Sequence, residues 1–402
     1  MRRVVITGLG VVTSIGIGKE EFWQNLIAGK SGISPVTSFD TSEHFTHLGG
    51  EVKGFEKIMN TIDEDSRSRY SRASLLAMIA AKLAVTDSGI DQVEPEGSIG
   101  VCYGITTGPI QVIEHINDIL LSNGSVSNEL ACQLPSNSTL AAIGEEVGLT
   151  GEGFVLSTAC SAGNYAIGYG YDLIRLDRAK IIIASASDAF SRISFTGFNQ
   201  FKAVAPERCQ PFDKNRRGMM VAEGAGVLIL EDLEHALQRG ANIYAEIVGY
   251  GLSCDARHMT SPSIEGIVQC MKKALKEASI TPEDIDYISA HGTGTPANDR
   301  TECAAIREVF GDRYKEIPVS SIKSMLGHTM GAASAIEAVA CTLAIKQGIL
   351  PPTINYETPD PECDIDCVPN KSRSHEITYA LNNSYAFGGN NASVVLKRFD
   401  GY

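Results

Sequence analysis

Phe154-Val155-Leu156-Ser157-Thr158-Ala159-Cys160-Ser161-Ala162-Gly163-Asn164-Tyr165-Ala166-Ile167-Gly168 passes from an apolar, β-favouring run into a train of small residues, with a cysteine at the changeover. The run Phe154 to Ser157 predicts a strand, and Ala162 to Leu176 predicts a helix. A later stretch repeats the outline. Ile317 to Ser321 predicts a strand, His328 follows it, and Gly331 to Gln347 predicts a helix that opens Gly331-Ala332-Ala333-Ser334-Ala335-Ile336-Glu337. Small residues along both helices imply close helix packing at the centre of the molecule. The repeat points to a duplicated α/β architecture.

Outward from these two stretches the alternation continues. Strands are predicted over Val4 to Thr7, Ile99 to Tyr103, Ile181 to Ser185, Ala245 to Tyr250, Tyr287 to Ala290 and Val394 to Lys397. Helices are predicted over Ser71 to Ser88, Ser263 to Ser279 and Arg300 to Phe310. The midpoint falls near residue 245, after the amphipathic segment Asp232 to Arg239. This divides the chain into an N-terminal half, 1–245, with the cysteine, and a C-terminal half, 246–402, with two histidines of interest. No Pro-, Gly- or Ser-rich linker separates the halves, so they are expected to pack as one body.

The chain has 402 residues, 43% of them hydrophobic, enough for a large core. Its net charge of -14 argues against nonspecific binding to nucleic acid or an anionic membrane. Ten cysteines without disulfide-framework spacing fit a reducing cytoplasm. No apolar stretch reaches the roughly 18 residues of a membrane span, and Gly8, Gly10 and Thr13-Ser14 break the N-terminal run that would otherwise resemble a signal peptide.

Cys160 sits where a helix begins, so backbone N–H groups and the helix dipole can stabilise its thiolate. A buried structural cysteine is the alternative. His291 ends a predicted strand and enters His291-Gly292-Thr293-Gly294-Thr295-Pro296, and His328 closes Lys323-Ser324-Met325-Leu326-Gly327-His328. Each histidine alone could be structural. A thiol with two distant imidazoles is nonetheless what an enzyme needs to carry an acyl group on sulfur and decarboxylate a second substrate. Lys323 could orient or electrostatically bias the histidines, and Glu302 could pair with Lys323. In Tyr385-Ala386-Phe387-Gly388-Gly389 the glycines suit close approach of a backbone N–H to an oxyanion; a plain tight turn is the alternative. Gly8-Leu9-Gly10 lacks the rest of a dinucleotide fingerprint, Cys363 and Cys367 lack a second ligand pair, and no metal site is predicted.

With these residues the chain resembles the elongating type II beta-ketoacyl-acyl-carrier-protein synthases, the KAS II-like enzymes of the thiolase superfamily. The resemblance spans Val5 to Gly10, Thr158 to Gly163, Pro211-Phe212-Asp213, Ala222 to Gly226, His291 to Pro296, Lys323 to His328, Pro351 to Asn355 and Asn383 to Gly389. It implies a thiolase-like fold with a five-layered α-β-α-β-α core, a homodimer, and acyl carrier protein as partner. It implies no cofactor beyond the phosphopantetheine of that carrier, with room for a monovalent cation. The implied activity is decarboxylative condensation of malonyl-acyl-carrier protein with an acyl chain held on Cys160, an acyltransferase step of fatty-acid elongation. His291 and His328 would promote decarboxylation, held by Lys323 and Glu302. The backbone N–H groups of Cys160 and Phe387 would form the oxyanion hole, with the Phe387 side chain gating the acyl site. Thr293 and Thr295 would bind pantetheine, while Thr106, Gln133, Phe198, Gly388 and Gly389 would contact substrate. Arg67, Arg69, Arg72 and Lys202 would receive the carrier protein.

The histidine pair separates this reading from thiolases, which use His and a second Cys, and from initiating synthases, which use His and Asn. Polar Thr106 and Gln133, Cys132 in place of a large apolar residue, Arg216-Arg217-Gly218 and Ala386 depart from the common pattern and open a second reading. In it the chain is a ketosynthase of a dedicated polyketide or aryl-polyene pathway, paired with a chain-length-factor-like subunit. A noncatalytic partner subunit is the third reading, and Cys160, His291, His328 and Lys323 argue against it.

Overall fold

The computed structural model describes residues 2–60, 62–92, 99–148 and 150–401. Along the path of the large sheet, five strands come from the first half: β1 (Val4–Thr13), β2 (Ile99–Gly104), β3 (Gly153–Leu156), β4 (Ile181–Asp188) and β5 (Gly224–Asp232). Five more on that path come from the second: β6 (Ala245–Cys254), β7 (Tyr287–Ser289), β8 (Val319–Ser320), β9 (Tyr379–Tyr385) and β10 (Asn390–Arg398). The first set runs β1-β5-β4-β2-β3 across the sheet and the second runs β6-β10-β9-β7-β8. Both therefore carry the same order, and both mix strand directions alike. The inner three strands of each are antiparallel and the outer three parallel. Pairing of Val4, Val5 and Ile6 with Ile247, Glu246 and Ala245 joins the two sets.

The helices complete five layers. Helix α1 (Arg72–Ser88) packs outside the first strand set, against β1, β4 and β5. Helices α2 (Ala162–Arg175) and α5 (Ala333–Gln347) pack against each other and touch strands of both sets. Helix α3 (Ile264–Glu277) covers β6 and β10 from the far side, with α4 (Pro296–Phe310) against it. The central position of α5 follows from its composition, because residues 333–345 are all buried and a helix apolar on every side needs cover on every side. All of β1 is buried too, between α1 and the central layer.

Glycines set the layer spacing. A Cβ on Gly10 would overlap the Ala80 carbonyl oxygen of α1, and one on Gly163 would overlap the backbone nitrogen of Ala335. The Gly8-Leu9-Gly10 run is thus a strand-to-helix contact, and it binds no nucleotide phosphate in this arrangement.

Two strands of the large sheet's path, β5 and β9, are not apparent in the sequence. Strand β5 begins Gly224-Ala225-Gly226, where small residues hide the apolar run that follows; a Cβ on Gly226 would stand 2.7 Å from the Ile336 nitrogen. Strand β9 contains Asn382-Asn383-Ser384, which reads as a turn. All three side chains are buried and hydrogen-bonded, Asn382 and Ser384 toward the central layer and Asn383 to Met271 of α3 and Ser393 of β10 on the other face. Helices at Ile110–Leu121, Ser138–Val147 and Arg192–Gln200 are likewise additions to the predicted set.

Candidate active site

After β3 the chain turns sharply at Ala159, whose φ of 51° is unfavourable for a residue with a Cβ. Cys160 is the middle residue of the turn Ala159–Ser161, and α2 starts directly behind it. The Cys160 carbonyl accepts hydrogen bonds from Ser334 Oγ at 3.2 Å and Ser384 Oγ at 2.9 Å. Asn164 Nδ2 donates to the Asn382 and Ala392 carbonyls, and Asn382 Nδ2 donates to Asn164 Oδ1 and the Ser334 carbonyl. This buried amide network ties the cysteine turn to α5 and β9.

The histidines come from the second half. His291 follows β7, and Glu302 on α4 accepts from the backbone N–H groups of His291 and Gly292, each at 2.8 Å. Lys323 Nζ donates to the His291 carbonyl at 2.7 Å and forms a buried ion pair with Glu337 of α5. The expected pairing of Lys323 with Glu302 is replaced by this one. Glu302 spends its two oxygens on the loop backbone, and Glu337 faces Lys323 one layer inward. Glu337, one acidic residue within an otherwise apolar and small-residue helix, was the available sequence signal.

The Met330 backbone N–H donates to His328 Nδ1 at 3.1 Å. A neutral His328 therefore carries its proton on Nε2, free to donate to a substrate oxygen. Burial first, then the Lys323 charge, holds both imidazoles well below the usual histidine range, and His291 is lowered further by His328. Burial pushes the Cys160 thiol up to about 11, against the pull of Lys323 and the Phe387 N–H. Burial also raises Glu302 and Glu337 to about 7, against their N–H and lysine partners.

The fold brings one reactive atom from each of Cys160, His291 and His328 within 4.8 Å of the others. Among the described residues, this is the one cluster of His, Cys, Asp and Glu so closely grouped. The imidazole rings meet edge-on with centroids 5.5 Å apart. A neutral imidazole pair beside a thiol can donate hydrogen bonds to a developing enolate while the sulfur carries an acyl group.

The trio lies at the base of a cavity of about 330 Å³. Thr293 and Thr295 line it, their hydroxyls 2.9 Å apart, together with Phe198, Phe387 and Gly389, and Lys202 lies along it with an exposed side chain. The Phe198 and Phe387 ring centroids are 6.0 Å apart. Gly388 and Gly389 both have φ of 85°, which only glycine adopts readily. Gly388 is exposed and donates its N–H to the Met259 carbonyl.

Other expected site residues lie elsewhere. Thr106 and Gln133 do not line the cavity: Gln133 Nε2 donates to the Ser68 carbonyl, and the Thr106 N–H donates to Asp188. Arg72 is partly buried, makes a two-pronged ion pair with the fully buried Glu223 and lies over the Phe55 ring. Arg69 pairs with Asp65 and Glu145, and Arg67 is half-buried. Arg216, one of the departures from the common pattern, is a buried cation beside Asp299 and Asp360. Asp299 in turn accepts from the Gly294 N–H, so Arg216 steadies the threonine loop.

Two family models cover most of the chain: the beta-ketoacyl synthase N-terminal domain matches residues 1–236 and the C-terminal domain matches 244–357. The chain belongs to the beta-ketoacyl synthase family. This synthase is 40% identical to 3-oxoacyl-[acyl-carrier-protein] synthase 2 of Synechocystis, over 99% of its length and 98% of the relative's. It is 41% identical to the enzyme of that name from Coxiella burnetii, over 99% of both chains. Among solved structures, the ishigamide ketosynthase/chain length factor superposes with a TM-score of 0.95 at 42% identity, covering 99% of both chains. A beta-ketoacyl synthase from Burkholderia phymatum superposes with a TM-score of 0.92 at 33% identity, covering 99% of this chain and 100% of the other.

Proposed function

We propose that this synthase carries an acyl chain as a thioester on Cys160 and condenses it with malonyl-acyl-carrier protein, elongating the chain in fatty-acid synthesis. The convergence of Cys160, His291 and His328 within 4.8 Å carries the reading. Cleavage of the malonyl C–C bond releases carbon dioxide and leaves its electron pair as an enolate, whose oxygen the two neutral imidazoles hold. The enolate carbon attacks the acyl carbonyl, whose oxyanion the N–H groups of Cys160 and Phe387 receive. The C–S bond then breaks, the sulfur takes up a proton, and 3-oxoacyl-acyl-carrier protein leaves.

Thr293 and Thr295 bind the pantetheine amides, and Phe387 packed on Phe198 gates the cavity. Carrier protein approaches over Lys202, and the phosphopantetheine arrives with it, so the chain needs no resident cofactor for this reaction. The working form is a cytoplasmic homodimer. The names of the relatives and the structure of a type II polyketide ketosynthase with its acyl-carrier protein support carrier-bound substrates.

The test supplies purified chain with malonyl-acyl-carrier protein and acyl-carrier proteins of graded length and unsaturation, and mass spectrometry reads the Cys160 adduct and the product. Saturated chains are expected to load and extend by two carbons; a chain that loads none of them overturns the assignment. The 42% identity to the ishigamide ketosynthase favours a second reading, a polyketide or polyene ketosynthase with a chain-length-factor-like partner. Exclusive use of unsaturated chains, together with activity only when a second chain is coexpressed, selects it.

A further inference from the structure

The repeated strand order makes the turns after β3 and β8 counterparts. Ala159-Cys160-Ser161 leads into α2 at Ala162, and Met330-Gly331-Ala332 leads into α5 at Ala333. Both turns open on a non-glycine residue with positive φ, 51° at Ala159 and 54° at Met330. Gly331 is thus the counterpart of Cys160. Its N–H occupies the place that, one half-molecule away, faces the oxyanion, and there it meets a carboxylate. Asp188 Oδ2, at the end of β4, accepts from the Gly331 N–H at 2.7 Å and from the Thr106 N–H at 3.0 Å, while Oδ1 faces the Thr107 N–H at 3.5 Å. A Cβ on Gly331 would lie 2.7 Å from the same oxygen, so glycine is required for the contact.

Asp188 links the Gly331 turn to the Thr106 loop. Through Gly331 it braces the turn whose first residue, Met330, donates its N–H to His328 Nδ1. Through Thr106 it braces a loop whose carbonyl accepts from Ser157 Oγ, three residues before Cys160. Resting on the functional reading above, we propose that Asp188 is a positioning residue, a built-in anion filling the second half's counterpart of the oxyanion hole and thereby fixing His328 against Cys160. Burial raises the carboxyl to about 6, so it is ionised at neutral pH, and its charge opposes ionisation of the Cys160 thiol. Lys323, His291 and His328 are the other titratable groups about that thiol.

The experiment compares wild type, Asp188→Asn and Asp188→Glu in three assays: carbon dioxide release from malonyl-acyl-carrier protein, acylation of Cys160, and the pH profile of Cys160 alkylation by iodoacetamide. Asp188→Asn should release carbon dioxide roughly tenfold to a hundredfold more slowly while still acylating. Its alkylation midpoint should move to lower pH, a shift that a purely structural loss would not produce. Asp188→Glu keeps the charge and should keep the midpoint, but its longer stem misplaces the Gly331 turn and slows decarboxylation. Wild-type decarboxylation and an unmoved midpoint in Asp188→Asn overturn the proposal. If that variant does not fold, wild-type decarboxylation in Asp188→Glu overturns it. Failure of the wild type to decarboxylate would instead sink the functional reading, and the alkylation contrast stands without it.

Discussion

At the residue scale, the proposed function divides the work of the site between a thiol and two imidazoles. Cys160→Ala should abolish condensation yet still release carbon dioxide from malonyl-acyl-carrier protein, because His291 and His328 remain. Loss of both activities in a folded variant would contradict that division. His328→Ala should lose decarboxylation, by roughly a hundredfold or more, while Cys160 still forms its thioester, as intact-mass measurement would report. The pH dependence follows from the direction of the histidine shifts. Burial and Lys323 lower both, so the imidazoles stay neutral as pH falls through 6.5. The acid limb due to the histidines, measured as decarboxylation in Cys160→Ala, should lie well below pH 6.5; a midpoint at 6.5 would mean they titrate as they do in water. Glu302 accepts two backbone N–H groups at a fully buried position, so Glu302→Ala should cost about 3 kcal/mol in chemical denaturation. The nucleophile, both histidines and Lys323 were legible as residues on loops beside strands. The partner of Lys323 was not, because Glu337 lies fourteen positions on and only the docking of α5 brings it to the lysine.

At the element scale, α2 and α5 carry the reactive turns and pack backbone to backbone. Their small residues were readable as close packing, and the structure gives the reason in the overlap a side chain on Gly163 would create. Gly163→Ala should therefore destabilise the fold by about 1–3 kcal/mol, seen as a lower denaturant midpoint. An unchanged midpoint would mean the helices part at little cost. Strands β5 and β9 escaped detection for opposite reasons, one masked by small residues and the other polar along its buried centre. Periodicity reports solvent contrast, and a strand buried on both faces shows little of it. The polar positions of β9 are used to bond Asn164, Ser334 and the Cys160 carbonyl.

At the scale of the whole molecule, the proposed function requires a chain of net charge -14 to receive an acidic carrier protein through local cations. Of the four basic residues expected to do so, Arg72 pairs with the buried Glu223, Arg69 is exposed and pairs with Asp65 and Glu145, and Arg67 is half-buried. Lys202 is the exposed cation at the cavity. Lys202→Glu should raise KM for acyl-carrier protein by about threefold, the worth of a rim charge, and flatten its salt dependence, because there is less attraction left to screen, while acylation from a small soluble thioester stays the same. An equal loss with both donors would place Lys202 in acyl binding.

The amino-acid order alone determined the chemistry and the α/β duplication, because both rest on local signals: residue type beside a strand end, and repeated helix and strand periods. It could not determine which charges neutralise one another, which polar residues face the cavity, or that Asp188 links the Gly331 turn to the Thr106 loop. Those depend on strands far apart in the chain becoming neighbours, as β1 and β6 do when they join the halves. Burial then does the rest, since removing Glu337, Glu302 and both histidines from water sets their protonation, and no sequence spacing encodes that distance from solvent.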